Sequence, residues 1–212
     1  MARKPTTLQT LVMIVCNYFP LAHVVGCCCC VAFAPGWAWK VGSFLACLYL
    51  LPVLLTRLVL FVHPIRRTRM PMYSVDHCVW WFTFCTQTLF LRFPFLEEVL
   101  RTVPALYSLW LRLWGSKIGK LVYWTPGTTV LDRSFLHLGD HVSLGLGAVL
   151  GTHLHVGDEF LIAHITLEED GVAIGAHAMI GPGVTVKAGE ATKALFLAPP
   201  FSVWKDGRRI EK

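Results

Sequence analysis

The stretch LGDHVSLGLGAVLGTHLHVGD, Leu138 to Asp158, decides the fold. Stepping by six from Leu138 gives Leu144, Leu150, Val156, Ile162, Glu168, Ile174, Ile180 and Val186, all large aliphatics but one. Glycine follows six of these positions, at 139, 145, 151, 157, 175 and 181. A second small or apolar residue stands four places after each step: Val142, Ala148, Leu154, Phe160, Thr166, Val172, Ala178 and Val184. Neither a period of 3.6 nor strict alternation produces this spacing. Short strands separated by tight turns do, with glycine easing the turns. Three such faces close a triangular prism whose stacked coils bond strand to strand about 4.8 Å apart.

Working outward, the same beat runs upstream through Ile118, Trp124, Val130 and Leu136, two residues out of phase. This predicts one early coil, a two-residue insertion near Leu136 and His137, and three further coils in register. The ladder breaks at Glu168, within LEEDG. A carboxylate in a dry core costs several kcal/mol. Leu167 is therefore expected to take the inward place, with the acids in an exposed bulge.

The front of the chain is different. Leu8 to Ala34 is 27 residues without a formal charge, and a membrane span needs about 20. Pro35-Gly36 breaks it, and Trp37 to Val62 forms a second apolar run, with Pro52 predicting a kink. Arg3 and Lys4 precede the pair, and Arg66, Arg67 and Arg69 follow it, while Lys40 is the one charge near the connecting loop. The positive-inside rule then places both outer ends in the cytosol. Residues 72 to 93 are expected to lie in or dip into the interface, a third crossing being the alternative. Phe93 to Gly115 mixes Glu97, Glu98, Arg101 and Arg112 with Leu, Trp and Tyr at helical intervals. It suits an amphipathic helix on a membrane surface, or one facing a soluble core.

Composition agrees. The 212 residues are 55% hydrophobic and 15% charged, with a net charge of +6. No aromatic-basic motif or recognition helix accompanies that charge, so no nucleic-acid partner is expected. All eight cysteines precede residue 86, and four are consecutive, Cys27 to Cys30. Adjacent cysteines on a helix point about 100° apart, so the run cannot by itself surround an ion. It reads as small apolar residues of a membrane helix, and no metal ligand is assigned. The expected class is α + β: a transmembrane helix hairpin in 1–70, interfacial or amphipathic helices in 71–115, a parallel β-helix of about four coils in 116–192, and a C-terminal extension in 193–212.

The hexad pattern over Ile118 to Ala191 resembles the left-handed parallel β-helix of the hexapeptide-repeat acyltransferases. GAVLGTHLH and LAPPFSVWKDGRR, preceded by paired membrane segments, look like the membrane-associated C-terminal domain of polylysine-synthetase-type nonribosomal peptide synthetases. The resemblance implies an integral membrane acyltransferase. It would pass an acyl group from coenzyme A, or from a carrier-protein thioester, to a hydroxyl or amine acceptor, small or lipid-linked. It also implies a homotrimer, or assembly with a synthase, and a turn histidine as general base. Such a base suits acyl transfer because its pKa lies near working pH.

His153, in the GTH stretch, matches that histidine. A rival lies in the register: His141, Glu159 and His177 sit three places into the first hexad of successive coils and are expected to stack in one column. His155 and His164 are further turn candidates. Lys187, Arg208 and Arg209 are candidate contacts for the donor's phosphates. Two other readings stay open: a non-catalytic β-helical scaffold for a larger synthase, and a zinc-dependent carbonic-anhydrase-like enzyme. Against the second, the chain lacks a histidine pair five apart on one strand and turn.

Overall fold

The computed structural model describes residues 5–66, 68–169 and 171–210. Arg3, Lys4, Arg67 and Asp170, assigned above to basic clusters or the acidic bulge, lie outside the described residues. The fold is α + β and divides into two compact units, one through Leu89 and one from Phe90.

The first unit is helical. Thr6 and Gln9 cap the opening helix Thr7–Asn17 reciprocally. Pro20 lacks the N–H that would continue this helix, and the chain resumes as Phe19–Phe33. Gly36, at φ 78°, turns the chain into Trp37–Leu45. Pro52 denies the second run its regular ladder, and the strain resolves as a π-helical turn, Ala46–Leu50, before Leu51–Val62. Thr7–Phe33 and Trp37–Val62 are long and apolar enough to cross a membrane. Much of their apolar surface points outward, including Leu8, Leu11, Leu54 and Leu58.

Helix Val75–Arg92 packs along both of them. Trp81 Nε1 donates to Asn17 Oδ1 at 3.0 Å, and the Thr56 and Thr86 hydroxyls meet at 2.7 Å. At the far end His63 Nε2 lies 2.6 Å from Asp76 Oδ1.

The second unit contains three parallel sheets that the chain visits in rotation. The first sheet holds Lys117–Ile118, Leu136–Leu138, Ile165–Leu167, Thr185–Val186 and Val203–Lys205, closed by antiparallel Arg208–Ile210. The second holds Tyr123–Trp124, Ser143–Leu144 and Ala173–Ile174, extended by a bridge from Ala173 to Ala191. The third holds Thr129–Val130, Val149–Leu150, Met179–Ile180 and Leu197–Ala198. Ladder residues fill the interior: Val130, Leu138, Leu144, Leu150, Leu167, Ile174, Ile180 and Val186 are buried, as are Val142, Ala148, Val172, Ala178 and Val184. Leu167, not Glu168, pairs with Leu138.

The register departs from the expected three continuous coils at one place. Residues His153–Val156 and Glu159–Ile162 form an antiparallel hairpin. Its two-residue turn begins with Gly157 at φ 59°. Leu154 and Val156 hold ladder places in the sequence but stand 40% and 52% exposed on the hairpin. Leu144 consequently pairs with Ile174, thirty places on, whereas Ile180 pairs with Ala198, eighteen places on. The excess equals two hexads, so the hairpin keeps the phase of the ladder while leaving the interior.

Residues 93–115 are not one continuous helix. They form two helices, Phe95–Arg101 and Leu106–Trp114, joined around Ala105. Tyr107, Trp110, Leu111 and Trp114 are buried, and Tyr107 meets Trp124 edge-on at 4.9 Å. These side chains face this unit's own first coil, while Phe95, Val99, Val103, Leu109 and Leu113 stay exposed.

Candidate functional site

The corner between the third and first sheets carries the extra residues. In the first coil it is the turn at Leu131–Phe135, just before the point where the hexad beat slips. In the second coil it begins at Gly151 and includes the hairpin. Leu131 N donates to Leu150 O at 3.1 Å, which stacks one corner on the other. Asp132 thereby comes to lie against Thr152 and His153. Asp132 Oδ2 accepts the Thr152 hydroxyl at 2.5 Å and meets His153 Nδ1 at 2.5 Å.

Asp132 is fully buried, and the His153 side chain is 17% exposed. The His153 ring stacks on Phe160 of the hairpin, 5.5 Å between centroids and 22° between planes. The carboxylate only accepts, so Nδ1 is the ring nitrogen that donates to it. An imidazole oriented in this way has the geometry of a general base.

A second buried network supports the same corner. Arg133, fully buried, donates to Glu97 Oε1 through Nε at 2.6 Å and Nη2 at 2.5 Å. Glu97 Oε2 accepts from the Tyr107 hydroxyl at 3.1 Å and from Arg101 at 3.3 Å. Arg101 also donates to Thr128 O at 2.7 Å. Burial, and then the Glu97 charge, push the Tyr107 phenol up from its ordinary pKa, so it remains a donor. The helix Phe95–Arg101 is thus tied by ion pairs to the turn that holds Asp132.

The expected column of His141, Glu159 and His177 is not formed. His141 sits at the corner between the first and second sheets, at φ 59°. His177 sits between the second and third sheets, with its ring against Gly147. Glu159 is on the hairpin opposite Val156, because that segment has left the coil. His141 instead lines a groove of about 750 Å³ with Arg101, Tyr107, Arg112, Lys120 and Trp124.

His155 pairs across the hairpin with Phe160. His164 stacks on His137 at 4.3 Å, and burial, then His137 and Lys117, hold its pKa down to about 4. Lys187 is committed to Glu168 at 2.6 Å. Arg208 and Arg209 are exposed on the final antiparallel strand.

Asp132, Thr152, Phe160 and the pair Glu97–Arg133 were not among the sequence candidates. One signal pointed to the first of these. Asp132-Arg133 is a charged pair inside an aliphatic ladder, one hexad before the beat slips at Leu136 and His137.

No known protein family matches the sequence, and no curated protein is detectably similar to it. Among solved structures, the chain is similar to a hexapeptide-repeat-containing acetyltransferase from Vibrio cholerae, at a TM-score of 0.38 and 19% identity. The similarity covers 59% of this chain and 90% of that one.

Proposed function

We propose that this chain is a membrane-anchored acyltransferase in which His153, oriented by Asp132, is the general base. The observation that carries the reading is the contact between Asp132 Oδ2 and His153 Nδ1 at a corner of the coil. His153 Nε2 takes the proton of an acceptor hydroxyl or amine as that group attacks a thioester carbonyl. The carbon–sulfur bond then breaks, and the departing thiolate recovers the proton from the imidazolium. The ester or amide forms, a free thiol is released, and His153 returns neutral. The donor is an acyl thioester of coenzyme A or of a carrier protein, and Arg208 and Arg209 are proposed contacts for its phosphates.

The rotation of the chain through three parallel sheets supports reading the second unit as a left-handed β-helix. The exposed leucines of the two long apolar helices support anchoring in lipid; the flanking arginines and lysines support both outer ends lying on the cytosolic side, and a lipid-linked acceptor is proposed with them. Met179 and Leu197 pair on neighbouring strands of the third sheet and are 51% and 64% exposed. They are the proposed contact for a further copy of this chain in a trimer.

The test is thiol release from acetyl-coenzyme A by the full chain in detergent, with membrane lipid extract as acceptor. Wild type is expected to release thiol and His153→Ala to lose at least about a hundredfold of that rate. Equal rates in the two proteins refute the base. Absence of release from wild type across acyl donors favours the scaffold.

A further inference from the structure

We infer that the helical hairpin holds a metal site made by His23, Cys27 and Cys47, which binds a thiophilic d10 ion, Zn²⁺ or Cu⁺. His23 and Cys27 are one helical turn apart on Phe19–Phe33, and both are buried. Cys47 comes from the other apolar segment, inside the π-helical turn Ala46–Leu50. The ligand atoms of the three residues all lie within 4.8 Å of one another. The Cys30 thiol, a further turn along the first helix, also adjoins that of Cys47. Gly26 packs beside the same thiol: a Cβ there would be in ordinary contact with Cys47 Sγ, at 3.5 Å.

The second observation concerns the imidazole. His23 Nε2 lies 2.9 Å from the Cys47 carbonyl oxygen. A carbonyl only accepts, so Nε2 carries the proton and the lone pair is on Nδ1. His23 is 2% exposed, and its Nδ1 has no hydrogen-bond partner. A buried acceptor left without a donor is costly. A metal ion would use that lone pair, and the Nε2–H to carbonyl bond is the outer support that metal-bound histidines commonly have.

Ligand chemistry and charge select the ion. Two sulfurs and one imidazole suit soft or borderline metals rather than magnesium or calcium. In an apolar hairpin a neutral site is favoured over a charged one. Zn²⁺ reaches neutrality when both thiols give up their protons, and Cu⁺ when one does. The ion would clasp the two helices together. Cys28 and Cys29 face outward from the same helix and take no part. This site is independent of the acyl-transfer reading.

The experiment uses the full chain in detergent, reduced and without oxygen, loaded separately with Zn²⁺ or Cu⁺. Loosely held metal is removed with a weak chelator, and retained metal is measured by elemental analysis. Wild type and the Cys28→Ser, Cys29→Ser double variant are expected to retain about one ion per chain. Cys27→Ser and Cys47→Ser are expected to bind at least about tenfold more weakly. Maleimide alkylation read by mass spectrometry provides a measurement on the wild type alone. Bound metal is expected to slow modification of Cys27 and Cys47 while leaving Cys28 and Cys29 unchanged. Retention of neither metal by wild type overturns the site. Unaltered retention by the Cys27 and Cys47 variants, or equal protection of all four cysteines, overturns it as well.

Discussion

Asp132 and His153 occupy the same corner of successive coils, and Asp132 Oδ2 meets His153 Nδ1 at 2.5 Å, although 21 residues separate them in the chain. A backbone bond from Leu131 N to Leu150 O fixes that stacking. The carboxylate orients the ring through Nδ1. Asp132→Asn keeps the shape of the turn but replaces a pure acceptor with an amide. Its acyl-transfer rate is expected to fall about a hundredfold or more, as for loss of an oriented base. A steady-state rate measurement checks this, with the thermal midpoint confirming that the fold survives. A wild-type rate would show that the carboxylate only holds the turn.

The pairing of Glu97 with Arg133 is a stability prediction. Both side chains are almost wholly withdrawn from solvent. Removing Glu97 takes away the carboxylate that faces the buried Arg133 guanidinium, at a cost of about 3–5 kcal/mol. Glu97→Ala is therefore expected to lower the thermal midpoint sharply. Glu97→Leu combined with Arg133→Met is expected to recover most of the loss, because no lone buried charge remains. Equal damage from the single and double variants would contradict this account of the network.

Close stacking of the coils gives a third test. A Cβ on Gly175 would lie 2.1 Å from Lys193 O, a backbone atom that cannot turn aside. On Gly151 the nearest atom would be Ile180 O at 3.4 Å, an ordinary contact. Gly175→Ala is expected to cost at least about 3 kcal/mol and Gly151→Ala under about 1 kcal/mol. Thermal melts of the two variants side by side decide the matter, and comparable melting would mean that the coils do not stack so closely.

The stacked pair His137 and His164 predicts a pH dependence. Burial, then His137 and Lys117, lower the His164 pKa from 6.5 to about 4, and burial with Lys117 lowers that of His137. Between those values the unfolded chain binds a proton at His164 that the folded chain refuses. Stability therefore rises with pH through this window and is lost as pH falls from about 6.5 toward 4. The thermal midpoint of wild type is expected to drop across that range, and that of His164→Gln to drop less. Identical slopes would remove His164 from the linkage.

These particulars show how far the chain could be read directly. The inward aliphatics were legible because a side chain every six residues has few other physical meanings, and Leu167 replacing Glu168 followed from the cost of a buried carboxylate. The hairpin 153–162 was illegible because its length preserves the phase of the ladder, so Leu154 and Val156 kept core positions in the sequence while pointing outward. His153 was named from the GTH stretch, but Asp132 stands 21 residues earlier in a turn that keeps the hexad beat, so nothing in the spacing joins the two. Glu97 could not be matched with Arg133, its partner 36 residues away, from helical intervals alone. The cysteine run concealed Cys47, since sequence spacing does not reveal which face of one helix meets a π-helical turn on another.

The most direct measurement is a double-mutant cycle on thiol release by the full chain, comparing wild type, Asp132→Asn, His153→Ala and both together. If the carboxylate acts through the imidazole, the double variant is expected to be no slower than His153→Ala alone. Losses that multiply, or a His153→Ala rate equal to wild type, would contradict an Asp132–His153 base.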